Sequence, residues 1–165
     1  KVARVMGLGY PGGPKVSKAA ENGKDDIVFV KPNDSLGYNF SFSGKKTAVI
    51  NYIHNLEQKG LTVPVNDICA SFQRCAVDEL VDKTIKATLE SGLDKVVVAG
   101  GVSANKLLRQ ELSTKCAQNG IKCYLPDLKY CTDNAAMIGS SAYFDVLLGK
   151  PFADGSLAPK ANLEL

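Results

Sequence analysis

The hydrophobic pattern in the second half of the chain alternates between helical periods and short apolar runs. From residue 65 to residue 90, apolar side chains recur every three or four residues, over a face broad enough for a largely buried helix. Residues 96–99 are apolar and mostly β-branched, which is typical of a strand buried on both faces of a parallel sheet. A further helix, a short strand over residues 121–125 and a last helix around Met137 follow. This order predicts an α/β fold with a parallel or mixed sheet flanked by helices.

The first half carries shorter patterns. Residues 1–8 have helical spacing without a cap, as in the tail of a helix, so we expect a fragment of a longer protein. A short helix is predicted over residues 16–20, and strands over residues 27–30 and over the alternating segment 38–42. Ser43 stands where an N-cap would begin the next helix, which ends before a linker near residues 58–64.

Composition limits the classes of protein that remain. The 165 residues, 45% of them hydrophobic, are enough for one globular domain with a core. A net charge of +3 favours polyanionic partners only weakly and is far from a basic nucleic-acid stripe. The five cysteines form no Cys-x-x-Cys pair, which argues against a zinc ribbon or a disulfide framework. With no membrane-spanning stretch and no secretory signal, the predicted location is cytoplasmic.

Two glycine-rich segments are candidate ligand-binding loops. Gly100 and Gly101 end the first strand of the second half, and Ser103 or Asn105 is placed to cap the helix that follows. A ligand there would lie at the carboxyl end of a strand, where open α/β sheets bind ligands, although an ordinary turn has the same pattern. Residues 9–14 hold three more glycines, which expose backbone N–H groups to an anion or form a plain loop.

Acidic and basic side chains provide few candidates for a metal, phosphate or catalytic site. Thr132 or Asp133 is predicted to begin the last helix, where a carboxylate is stabilised by the helix dipole. The alternative is that Asp133 is a metal ligand or a substrate contact, in a site completed by residues outside this sequence. Residues 44–47 lack the upstream glycine of a phosphate-binding P-loop. His54 has no second histidine to form a metal site and no evident catalytic triad.

Taken together, five segments in order resemble motifs in the C-terminal half of the TsaD family. These are the tRNA N6-adenosine threonylcarbamoyltransferases, formerly called O-sialoglycoprotein endopeptidases or glycoproteases. The matching segments cover the chain almost from end to end: residues 10–14, 40–44, 67–73, 99–105 and 131–137. The resemblance implies an actin-like ATPase fold with two RNase H-like lobes, of which residues 1–165 supply most of the second lobe. Residues 1–64 are then a helical and loop insertion segment, and residues 65–165 the α/β core of the nucleotide cleft.

The resemblance also implies an activity, ligands and partners. The full-length enzyme would transfer threonylcarbamoyl from threonylcarbamoyl-AMP to N6 of the adenosine beside the anticodon in tRNAs that decode ANN codons. The implied partners are tRNA, TsaB-like and TsaE-like proteins and an N-terminal lobe. By motif matching, Gly13 and Asn105 contact the adenylate (or ATP), and Gly100 and Gly101 line its adenosine part. Asp133 corresponds to the carboxylate ligand of one divalent metal ion, iron or zinc, which would act as a Lewis acid.

The chain departs from the family pattern at several places. It lacks the His-x-x-x-His motif that supplies two metal ligands, and the aspartate that contacts the ribose would fall before Lys1. Asn39 replaces the more usual aspartate, Lys45 the more usual leucine, and Gly9 a common aspartate. We therefore expect this chain alone to fold but to be catalytically inactive. Two other functions remain possible: a metal-dependent glycoprotein endopeptidase and a non-catalytic, actin-like nucleotide-binding module.

Overall fold

The computed structural model describes residues 1–29, 37–156 and 158, and within them helices alternate with two short strands. The helices are α1 (Val2–Val5), α2 (Gly12–Ala20), α3 (Phe42–Gln58), α4 (Val65–Glu90), α5 (Lys106–Gln118) and α6 (Ala135–Leu147). The strands are β1 (Lys95–Val97) and β2 (Lys122–Tyr124). Single 3₁₀ turns over Gly101–Ala104 and Leu128–Tyr130 precede α5 and α6. The predicted α/β class is confirmed, with helices around a small parallel sheet.

Helix α4 forms the centre of the molecule. Its first half packs against α1, α2 and α3, where Ile68 and Cys69 are fully buried. Its second half packs against α5 and the sheet. That second core consists of Val77, Val81 and Ile85 from α4, Leu108, Leu112 and Cys116 from α5, and Ile121 before β2. A helix with apolar contacts on more than one side needs the broad apolar face that the sequence shows.

The two strands are parallel, with Lys95 opposite Lys122 and Val97 opposite Tyr124. Val96 and Cys123 point to the core formed by α4 and α5. Val97 lies on the other face and is 76% exposed. The expectation that this strand is buried on both faces is therefore wrong for this chain. The reason is that no element of the described residues covers the second face of the sheet.

The strand predicted over residues 27–30 does not form in the part that is described, residues 27–29; Val30 lies outside the described residues. The Ile27 N–H donates to the Ser71 hydroxyl at 3.0 Å, and Phe29 contacts the ring of Tyr52 edge-on. A side-chain acceptor on α4 thus takes the place of a neighbouring strand. A short apolar run is compatible with either arrangement. Here Ile27 and Phe29 pack against the core, whereas Val28 is exposed.

The strand predicted over residues 38–42 is also absent. Phe40 and Phe42 stack with ring centroids 5.9 Å apart, and α3 already begins at Phe42. The N-cap position is Ser41 rather than Ser43, and its side chain makes no capping hydrogen bond. Ser43 lies inside the helix, where its carbonyl accepts a hydrogen bond from the Thr47 hydroxyl at 3.0 Å. Alternation over five residues was outweighed here by the helical pattern that follows.

A buried ion pair joins α3 to α4. Lys45 is 4% exposed, and its Nζ lies 2.7 Å from the Glu79 carboxylate, which also contacts Lys83 at 3.1 Å. Burial by itself disfavours the charged carboxylate, but hydrogen bonds from Lys45 and Lys83 outweigh it. The pKa of Glu79 therefore lies below its ordinary value of 4.5. A lowered pKa means that this carboxylate stabilises the fold when charged and loses that contribution as the pH falls.

We predict that Glu79→Gln lowers the free energy of unfolding at pH 7 by about 1–3 kcal/mol, because Lys45 keeps its charge and loses its anionic partner. The difference from the parent chain should narrow as the pH falls below 4.5 and through the lower pKa of folded Glu79, where the carboxylate of the parent itself becomes protonated. Urea denaturation at a series of pH values measures both effects. Asp82→Asn is the matched control, since Asp82 is exposed and its contact with Lys115 is long, at 4.0 Å, so its loss should cost little. A deficit of equal size at pH 7 and pH 3 would contradict the assignment.

Candidate ligand-binding site

The turn after β1 is shaped by its two glycines in different ways. Gly100 has φ +86°, a left-handed conformation that residues with a side chain rarely adopt. Gly101 begins a 3₁₀ turn that is closed by a hydrogen bond from the Ser103 N–H to the Gly100 carbonyl at 3.0 Å. A Cβ at either glycine would meet no atom within 4 Å. The backbone conformation at position 100 thus requires glycine. At position 101 it does not, but the lack of a side chain leaves open space beside the turn.

Asn105 ends this turn and caps α5. Its Oδ1 accepts a hydrogen bond from the Leu108 N–H at 3.0 Å, the expected geometry for an N-cap asparagine. Its Nδ2 donates to Oε1 of Gln73 on α4 at 2.9 Å. Ser103, the alternative cap, is 1% exposed, and its hydroxyl has no partner within the described residues. Of the two predicted caps, the structure selects Asn105.

The second glycine-rich segment forms the start of α2. Pro11 occupies the N-cap position and makes no side-chain hydrogen bond, so the first N–H groups of α2 have no capping side chain. A Cβ at Gly12 would lie 3.0 Å from the Ala3 Cβ, which explains the glycine at this close contact between α1 and α2. Gly13 has no such neighbour within 4 Å. This helix end is therefore available to a ligand and carries partial positive charge.

The two helix starts face each other across a cavity of about 480 Å³. Gly13 and Ser17 of α2 lie on one side, and Gly101, Ala104 and Asn105 on the other. A second, mostly apolar cavity of about 490 Å³ shares Gly13 and Asn105 with the first. The structure thus brings three of the predicted ligand contacts, Gly13, Gly101 and Asn105, to one place. Gly100 sets the turn but is not among the lining residues.

The second cavity includes polar side chains that the sequence analysis did not select. Gln73 reaches it from α4, and Ser43 and Lys46 reach it from α3. Gln73 belongs to one of the five segments that carry the family resemblance, which was the available signal. Lys46 had no such signal, because its place depends on how α3 packs on α4. The cavity therefore combines apolar walls with hydrogen-bond donors and two lysines, Lys1 and Lys46.

Asp133 lies apart from both cavities and is exposed. The last helix begins at Ala135, and its N-cap is Asn134, whose Oδ1 accepts from the Met137 N–H at 3.0 Å. The prediction that Thr132 or Asp133 begins this helix is thus wrong, because the neighbouring asparagine provides the cap. No group of three potential metal-ligating side chains exists within residues 1–29 and 37–156. These residues alone do not make a metal site around Asp133.

Helix α6 has an unusual surface. It is the most apolar of the helices, and none of its residues is buried. Its large exposed side chains are Met137, Ile138, Tyr143, Phe144, Val146 and Leu147. Across the described part of the chain, no helix combines the length and apolar character needed to cross a membrane.

Comparison with known proteins places this arrangement in a family. The family model "TsaD: tRNA N6-adenosine threonylcarbamoyltransferase" matches residues 1–140, which include every one of the candidate site residues. The chain belongs to this family. The match confirms the resemblance found in the five segments of the sequence.

Relatives named tRNA N6-adenosine threonylcarbamoyltransferase support the same assignment. The protein of Caldicellulosiruptor saccharolyticus is 53% identical over 150 residues, which are 91% of this chain and 45% of that protein. A Clostridium botulinum protein is 49% identical over 154 residues, or 91% of this chain and 45% of the relative. The Clostridium perfringens protein is 47% identical over 169 residues, with 100% of this chain and 49% of the relative covered. This TsaD-family chain thus spans about half the length of the curated relatives it matches.

The capping geometry of α6 distinguishes between a structural role for Asp133 at the start of the helix and a role as a metal ligand or substrate contact. We predict that Asn134→Ala destabilises the first turn of α6 by about 1 kcal/mol, because the Met137 N–H loses its acceptor. Asp133→Ala should leave the helix unchanged, since it makes no capping bond there. Amide hydrogen exchange at Met137 and its neighbours measures both variants. Faster exchange in Asp133→Ala than in Asn134→Ala would show that Asp133 has a structural role after all.

Proposed function

We propose that the full-length protein transfers threonylcarbamoyl from threonylcarbamoyl-AMP to N6 of the adenosine beside the anticodon of ANN-decoding tRNAs. The observation that carries this proposal is the placement of Gly13, Gly101 and Asn105 around one cavity in a chain of the TsaD family. Gly13 is far from Gly101 and Asn105 in sequence, and all three were selected by motif alone. Their convergence supports a shared ligand.

The proposed ligand of this cavity is the adenylate, or ATP. The uncapped start of α2 presents N–H groups and partial positive charge, which favours a phosphate. Asn105 offers a further N–H donor, and Lys46 an amine in the adjoining cavity. The apolar walls of that cavity, formed in part by Val16, Phe72 and Val102, suit a purine ring.

We propose that this chain forms most of one lobe of an actin-like, two-lobed fold. Two features support this: one face of the β1–β2 sheet is bare, and α6 exposes a row of apolar side chains. Parallel sheets are normally covered on both faces. The missing cover would come from the remaining half of the length seen in the relatives. TsaB-like and TsaE-like proteins and tRNA are the proposed partners, and the cytoplasm the proposed location.

Asp133 is proposed as one ligand of a divalent iron or zinc ion in the full-length protein. The described residues do not supply the other ligands, so the ion would be held together with residues outside this sequence. Two observations support a role beyond structure: the carboxylate is exposed, and Asn134 rather than Asp133 caps α6. When bound, such an ion supplies Lewis-acid chemistry.

The first test is ligand binding. We predict that this chain binds ATP, as measured by calorimetry, and that Gly101→Val weakens binding at least about tenfold by filling the cavity. Stability should change little, because Gly101 has ordinary backbone geometry and a Cβ there meets open space. Gly139→Val on α6 is the matched control, since its Cβ also meets nothing within 4 Å and it lies outside both cavities. Equal ATP affinity in the two variants would contradict a nucleotide at this site.

The second test is transfer itself, measured as incorporation of labelled threonine into tRNA by the full-length protein with its partner proteins. Asp133→Ala is expected to abolish transfer and to lower the bound metal content, while leaving ATP binding within about twofold because Asp133 lies outside the cavity. Normal ATP binding without any transfer by the parent protein would instead favour a non-catalytic nucleotide-binding module. Cleavage of a glycoprotein that depends on the metal would favour the endopeptidase.

A further inference from the structure

The side-chain amide of Asn105 is held from both ends. On one side, Oδ1 accepts from the Leu108 N–H at 3.0 Å; on the other, Nδ2 donates to Oε1 of Gln73 at 2.9 Å. The first bond has an evident purpose, since it caps α5. The second is not needed for the cap. It links the N-terminus of α5 to the first half of α4 at the wall of the cavity.

Elementary hydrogen-bond chemistry fixes which atoms face each other. A backbone N–H can only donate, so the oxygen of Asn105 must face Leu108 and its nitrogen must face Gln73. That nitrogen is also only a donor, so Gln73 must present its oxygen. One hydrogen of Asn105 Nδ2 and both hydrogens of Gln73 Nε2 then have no acceptor among the described residues. Both side chains line the 490 Å³ cavity, which therefore offers donors at this wall.

An ion-pair bridge joins α4 to α5 next to Gln73. Gln73 lies on α4, and the next residue, Arg74, donates to Glu111 of α5 at 2.8 Å and to Asp25 at 2.9 Å. The Arg74–Glu111 contact links α4 and α5 beside the Gln73–Asn105 bond. Supporting contacts around a binding side chain favour one orientation of it before the ligand arrives.

We propose that Gln73 is a positioning residue for the ligand contact of Asn105. By accepting one Nδ2 hydrogen, it keeps the other available to an acceptor atom of the adenylate, a phosphate or ribose oxygen or a ring nitrogen. The proposal rests on the proposed function, because it takes the adenylate as the ligand. It adds a residue that acts through Asn105 rather than through the chemistry of the reaction.

The test is a double-mutant cycle read by ATP binding to this chain. Gln73→Met keeps the length of the side chain but removes the acceptor, and Asn105→Ser keeps a capping oxygen but removes the amide donor. We expect Gln73→Met to weaken ATP binding about three- to tenfold in the parent chain, the usual effect of one hydrogen bond. In the Asn105→Ser background the same change should cost less than about twofold. Gln110→Met, at an exposed site on α5, is the matched control and should have no effect.

A second readout does not need the ligand. In NMR spectra of the ligand-free chain, Gln73→Met should shift the side-chain amide signals of Asn105 and speed their exchange with solvent several-fold. The backbone amide of Leu108 should stay protected, because the cap remains. Gln110→Met should leave all of these signals in place.

The possible outcomes separate the two proposals. Unchanged ATP affinity in Gln73→Met, or an equal loss in both backgrounds, would overturn the positioning role while leaving the nucleotide site intact. Unchanged Asn105 amide signals in Gln73→Met would overturn it without reference to any ligand. If the parent chain binds no ATP, the adenylate site proposed for this chain fails, and the positioning role falls with it.

Discussion

The fold and the candidate site both depend on the burial of α4. This helix of 26 residues contacts the N-terminal helices with its first half and the α/β part with its second half. The two apolar cores have no other element in common. The 490 Å³ cavity lies where the two cores adjoin, since residues of both line it: Val2 and Val16 of the first, Val77 and Leu108 of the second. A change that tilted α4 would move α2 relative to α5, and with it Gly13 relative to Asn105.

The sequence predicted those elements for which the hydrophobic period and the length of the segment indicate the same type of secondary structure. Helix α4 is long and strongly periodic, and the runs at β1 and β2 lie between helices, so all three were found. The apolar runs at residues 27–29 and 38–42 were assigned to strands, although the described residues there form none. Their local pattern fits a strand, but tertiary contacts satisfy it otherwise: Ser71 takes the Ile27 N–H, and α3 incorporates Phe42. The sequence of such a run does not show whether a neighbouring strand or a side chain of another helix will satisfy its backbone.

Only some residues of the candidate site could be selected from the sequence. Motifs identified Gly13, Gly101 and Asn105, and the fold brings them together. Gln73 was not selected because a polar residue within a helix carries no local sign of its partner, which lies 32 positions away. For Asn105, the cap and the ligand contact were competing explanations at the level of sequence. The structure shows that they are compatible, since the cap uses the oxygen and leaves a hydrogen of the nitrogen free.

Part of the apolar surface of this chain is exposed to solvent. Val97 on the sheet and Ile138 and Phe144 on α6 are each more than half exposed. Leaving such side chains in water forgoes about 1.5–3 kcal/mol for each one that a partner surface would bury. The two cavities, by contrast, are lined by residues of α1 to α5 and of the turn before α5. The proposed adenylate site is thus lined by residues of this chain, whereas the proposed metal site at Asp133 lies beside the exposed helix α6 and needs ligands from outside the described residues.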